Sequence, residues 1–152
     1  MLMARLAPHF ARLVLLFQSV ALILIASRIL FDPVGASAKA QISLGSPLAI
    51  VVAQIGFGAF PLAAALFVAV CALSARTLRA GLTFVLIFDL TALAVRVHAL
   101  LPAGGFAQNR GPLIGETVFG VLALAALIWQ SGWLRRSNEP PASDAAAESS
   151  RG

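Results

Sequence analysis

Between Lys39 and Arg76 no side chain carries a charge. A soluble domain has no place for so long an uncharged segment, because about a quarter of its residues are normally charged. A lipid bilayer does: about 20 apolar residues, wound as a helix, cross about 30 Å of hydrocarbon. The rest of the chain agrees. Of its 152 residues, 60% are hydrophobic and 11% charged, with a mean hydropathy of +0.94. Runs this apolar must be buried in something, which excludes disorder for most of the chain.

Four such runs are legible: about residues 10–30, 47–74, 78–101 and 112–133. They are too long for membrane strands and lack the alternation that strands require. The expected fold is therefore all-α, a polytopic membrane protein with a four-transmembrane-helix bundle over residues 1–136. Pro47 and Pro112 suit positions at or near the first of a helix, where a missing N–H costs nothing. The remainder, residues 137–152, is small, polar and proline-containing, and reads as a disordered cytoplasmic tail. Arg5 and Arg12 before an apolar run, with Ala36-Ser37-Ala38 after it, resemble a signal peptide. Arg28 and Asp32 stand between that run and the small residues, so the segment reads as an uncleaved first span.

The net charge of +5 suggests nucleic acid until the charges are placed. They sit at the ends of apolar runs and form no patch interleaved with aromatics, so nucleic acid is not an expected partner. Arg5, Arg12, Arg76, Arg79, Arg135 and Arg136 flank one side; Arg28, Lys39 and Arg110 flank the other. Six against three places both termini and the short loop between spans two and three in the cytoplasm. Trp129 and Trp133 then become anchors at the cytoplasmic interface.

The lone Cys71 excludes a disulfide framework, a CxxC redox pair and a cysteine-based metal site. His9 and His98 fall on opposite sides of the membrane and cannot together hold a haem or a metal. No nucleophile–base pair, phosphate loop or carboxylate dyad is present, so no catalytic residue and no metal site are expected.

What remains is a set of polar residues inside the spans, which hydrocarbon drives toward the bundle interior and toward one another. Asp89 lies roughly 15 Å into the third span, near the midplane. Gln18, beside Ser19, reaches a similar depth on the first span. Arg96, two turns beyond Asp89, approaches the depth of Glu116 near the start of the fourth span, and these two are expected to pair. Gln54 on the second span lies nearer the outer surface. The five residues Gln18, Gln54, Asp89, Arg96 and Glu116 could line one common interior. One reading makes them interhelical glue; the other makes them a small polar cavity for a ligand, a lipid headgroup or protons. Gly56, Gly58 and Pro61 predict close packing and a bend in the second span. Gly111 and Gly115 form a GxxxG spacing at the start of the fourth.

The segment LRAGLTFVLIFDLTALAVRVHALLPAGGFAQNRGPLIGETVFGVLALAALIW, residues 78–129, ends its third span with an arginine and opens its fourth with a glutamate. Together with Phe31-Asp32-Pro33 and QIGFGAF in the second span, it resembles the bacterial DoxX-like four-helix membrane proteins, the branch known only as a domain of unknown function. The resemblance covers roughly residues 10–134. It implies a multi-pass protein of the bacterial inner membrane, with Arg96 and Glu116 at the family's arginine and glutamate positions. Asp89 departs from the apolar residue usual there. Some DoxX relatives are subunits of quinone-linked oxidoreductases, although no quinone or redox motif is visible in this chain.

Three functions stay open. The first is a non-catalytic accessory or assembly subunit, with the bilayer and other integral membrane subunits, or further copies of itself, as partners. The second is a small transporter or ligand-binding bundle that uses the Asp89, Arg96 and Glu116 cluster. The third is a quinone-linked redox subunit. No cofactor is expected from the residues; quinone enters through the resemblance and lipid through the bilayer.

Overall fold

The structure, a computed structural model, describes residues 2–39, 42–107 and 109–137. All its regular elements are helical, and four of its helical stretches are long and apolar enough to cross a membrane: Leu6–Phe31, Pro47–Leu73, Leu78–Pro102 and Arg110–Gly132. The first span belongs to helix α1, Leu2–Phe31, and a short α2, Pro33–Lys39, follows it. The second is α3, Pro47–Ala53, a π-helical segment over Gln54–Ala59, and α4, Phe60–Leu73. The third lies in α5, Leu78–Ala103, and the fourth in α6, Arg110–Ser137. The tail expected from residue 137 lies outside the described residues from 138 onward.

Local chemistry sets these boundaries. Asp32 Oδ1 accepts the Gly35 N–H at 2.9 Å while Pro33 occupies the first helical position, so Phe31-Asp32-Pro33 ends one helix and caps the next. The Ser46 Oγ accepts the Ala49 N–H at 3.2 Å ahead of Pro47, which starts the second span the same way. Helix α5 stops at Gly104 and Gly105, both at positive φ (72° and 81°), a conformation that glycine adopts without strain. The short turn between α4 and α5 is tied by the Thr77 hydroxyl, placed 3.1 Å from both the Cys71 and Ser74 carbonyls.

The bend expected in the second span takes a specific form. The Phe60 N–H reaches back five residues to the Ile55 carbonyl, one residue further than in an α-helix. Pro61 follows directly; it has no N–H to give to residue 57, and its ring crowds that carbonyl. The extra residue in the turn absorbs both problems, as π-bulges do.

Consecutive spans run antiparallel. Gln54 touches Leu30, Arg96 touches Glu116, and Phe10 lies 5.4 Å from Trp129, so each span returns beside the one before and the fourth closes on the first. One end of the bundle therefore carries the start of α1 and the end of α6 with the 74–77 turn; it is called here the near end. Helix α2 and the described parts of the two connections, 42–46 and 104–107 with Asn109, make the far end. Helix α1 packs on α4, α5 and α6, and α5 packs on α4 and α6.

The buried faces follow helical spacing: Ala7, Ala11, Val14, Leu15, Gln18, Ser19, Leu22 and Ala26 on α1; Leu78, Leu82, Val85 and Asp89 on α5; Gly120, Ala123, Ala126 and Gln130 on α6. Most of the core lies in the near half, around Leu15, Val68, Leu82 and Ala123. Among the described side chains none of α5 beyond Asp89, and none of α6 before Gly120, is buried. In the near half a glycine permits close contact between α4 and α5: a Cβ on Gly81 would come within 2.6 Å of the Cys71 Cβ.

Candidate functional site

The five polar residues do not share one interior. They form three separate groups.

The middle group joins the first and third spans, which face each other across the bundle. Gln18 Nε2 donates to Asp89 Oδ1 at 3.0 Å, and both residues are 3% exposed. The contact sits where burial of α5 ends. Its second half is unsatisfied: Gln18 Oε1 and Asp89 Oδ2 are buried acceptors without a hydrogen-bond partner. Beside it, the Ser19 hydroxyl donates to the Ala65 carbonyl at 2.9 Å and ties α1 to α4. Gly120 leaves room on α6, where an added Cβ would lie 3.9 Å from the Asp89 Cβ.

The far-end group joins the third and fourth spans. Arg96 Nε lies 3.1 and 3.0 Å from the two Glu116 oxygens, and Arg96 Nη2 lies 2.6 Å from Glu116 Oε1. This fork is the expected pairing, and it is the one ion pair among the described residues. The Arg96 side chain is 33% exposed and that of Glu116 16%. Sequence reasoning missed a third member. Asn109 Oδ1 accepts from Arg96 Nη1 at 3.4 Å, while its own Nδ2 donates to the Gly105 carbonyl at 3.1 Å. The signal was present: an asparagine directly ahead of a helix, four residues after a Gly-Gly turn, is placed to cap and to turn back toward the preceding helix.

Gln54 stands apart from both groups. Its Nε2 donates to the Leu30 carbonyl at 3.1 Å. Leu30 is in the last turn of α1, where carbonyls have no partner within their own helix, so Gln54 closes the end of the first span. Gly58 allows this approach, since a Cβ there would come 2.7 Å from Leu30 Cδ2.

The polar residues therefore bind helix to helix pairwise: first to third, third to fourth, first to second. A neutral amide on a carboxyl, a guanidinium fork on a carboxylate and an amide on a carbonyl are each complete local contacts, apart from the two orphaned oxygens. Two hollows lie elsewhere. One, about 430 Å³, is lined by Phe84, Ile87, Phe88, Thr91 and Ala92 on α5. The other, about 500 Å³, lies between α5 and α6 at the near end.

His9 and His98 are exposed at opposite ends of the bundle, and no group of three metal-ligating side chains lies together among the described residues. Trp129 is half-buried against Phe10. The Trp133 side chain, expected as a second anchor, lies outside the described ones. The GxxxG pair has open space over its Cα atoms: a Cβ on Gly111 or Gly115 would meet nothing within 4 Å. No family model, curated protein or solved structure matches this chain.

Proposed function

We propose that this protein is a non-catalytic packing subunit of a larger membrane assembly, with both termini in the cytoplasm. The observation that carries the reading is how its intramembrane charge is used. Arg96 and Glu116 are consumed in a fork between neighbouring helices, which is what a charge pair does when its task is to hold a hairpin together in hydrocarbon. The outward side of that hairpin offers a surface for association. Gly111 and Gly115, one helical turn apart with open space over both, let another helix approach the backbone closely. A bundle of this kind fits the DoxX-like resemblance, in which Arg96 and Glu116 take the family's arginine and glutamate positions.

Photo-crosslinkers at Ile114 and Val118, both exposed beside the glycine pair, test the reading against one at Leu90 on α5. Crosslinks to another membrane polypeptide from Ile114 and Val118 are expected, with few from Leu90. Crosslinks to lipid alone from all three positions would contradict it.

A second reading, a small transporter or ligand-binding bundle, is favoured by one observation. Gln18 Oε1 and Asp89 Oδ2, on two side chains already joined by a hydrogen bond, are buried acceptors that lack a donor. On that reading a proton or a hydrogen-bonding ligand supplies it. Asp89→Asn and Glu116→Gln should then abolish uptake or binding, and unchanged transport would remove the reading.

A further inference from the structure

The near end of the bundle holds a hollow that the packing role does not use. It lies between the start of α5 and the end of α6, has a volume of about 500 Å³, and is lined by Arg79, Thr83, Leu127, Ile128, Ser131 and Gly132. The lining is layered. Because the two helices are antiparallel, Arg79 and the Ser131–Gly132 pair sit at the rim, while Thr83, Leu127 and Ile128 lie about one turn, or roughly 6 Å, deeper. Gly132 keeps the rim open, since an added Cβ would meet nothing within 4 Å. A guanidinium and a hydroxyl at the mouth, with a second hydroxyl and aliphatic side chains one turn deeper, follow the order of a phospholipid, whose phosphate and ester-bearing glycerol lie above its acyl chains.

Charge points the same way. Arg12 and Arg76 flank the same end, whereas the described carboxylates lie elsewhere: Asp89 at mid-depth, Asp32 and Glu116 at the far end. Arg79 has no carboxylate partner among the described residues. On this account, which rests on the membrane reading, we propose that the α5–α6 groove is a binding site for an anionic phospholipid. Arg79 takes the phosphate, Thr83 and Ser131 the ester region, and Leu127 and Ile128 the start of one acyl chain. Basic pockets between spans recognise headgroups in this way.

The test is native mass spectrometry of the full chain in detergent, titrated with phosphatidylglycerol and with phosphatidylcholine. The expected result is preferential retention of phosphatidylglycerol, with about a fivefold loss in Arg79→Gln, the effect of one basic contact. Gly132→Leu should fill the groove and remove both lipids. Arg76→Gln, outside the groove, should change retention by less than twofold. Equal losses in the two arginine variants would mean diffuse attraction to a charged end and would overturn the site. Displacement of the lipid by inorganic phosphate at equal concentration would show an anion site instead. A rise in lipid retention when Glu139, Asp144 and Glu148 are changed to their amides would make the C-terminal segment the occupant and would also overturn the proposal.

Discussion

Individual side chains decide whether this bundle holds, and two of them dominate. Arg96 and Glu116 make three contacts of 2.6–3.1 Å, with the Glu116 side chain 16% exposed and that of Arg96 33%. Removing one partner leaves an uncompensated charge, which costs about 3–5 kcal/mol when fully buried and less where Arg96 is a third exposed. Glu116→Leu should therefore destabilise the protein by about 2–4 kcal/mol, and Arg96→Leu/Glu116→Leu together should recover most of the loss. Thermal unfolding in detergent measures the cycle; a coupling no larger than the ~0.6 kcal/mol average for membrane hydrogen bonds would make the fork incidental. Gln18 and Asp89 behave differently, because their contact is only half satisfied. Gln18→Leu removes the single donor to a buried carboxyl and should cost about 1–3 kcal/mol, while Gln18→Leu with Asp89→Leu should approach the native midpoint. Depth counting along the helices was enough to foresee that Gln18 would lie level with Asp89, and Arg96 with Glu116. It was not enough to separate them from Gln54, since depth says nothing of which way a residue faces around the bundle. Gln54 turns toward the end of α1 because an unsatisfied carbonyl waits there.

Elements carry the next level of information. Four apolar runs with prolines at two of their starts made the spans legible to within a few residues, and the caps at Asp32 and Ser46 explain why the breaks fall where they do. Helix α2 was not foreseen: seven residues with no apolar stripe announce themselves only through the Asp-Pro cap. The π segment was foreseen only as a bend, because Pro61 predicts that an α-helix is interrupted but not how the turn is repaired. Glycine positions sort by what surrounds them. Gly81→Ala places a Cβ 2.6 Å from the Cys71 Cβ, part of the side chain nearest the backbone, so α4 and α5 must move apart, at a cost of about 1–3 kcal/mol. Gly111→Ala meets open space and should raise helix stability by as much as about 1 kcal/mol. Unfolding midpoints of the two variants should move in opposite directions; a parallel shift would mean that the α4–α5 contact is looser than it stands.

On the scale of the whole molecule, the bundle is unevenly packed. The near half has a continuous core, while the far halves of α5 and α6 keep no buried side chain, among those described, beyond Asp89 and before Gly120, and are linked through Arg96, Glu116 and Asn109. That arm presents the open Gly111–Gly115 face, and for it to serve a packing subunit another membrane polypeptide must cover it. On the proposed topology, which rests on six basic residues against three, a cysteine placed at exposed Ala38 in a Cys71→Ala background should react with an impermeant thiol reagent from outside the cell. Labelling only after lysis would reverse the topology. The most direct test of the packing role is native mass spectrometry of the protein after gentle extraction from its own membrane. The account predicts a stable mass well above 15.8 kDa that contains other polypeptides, lost when Gly115 is changed to Leu. A homogeneous monomer, unchanged by Gly115→Leu, would contradict it.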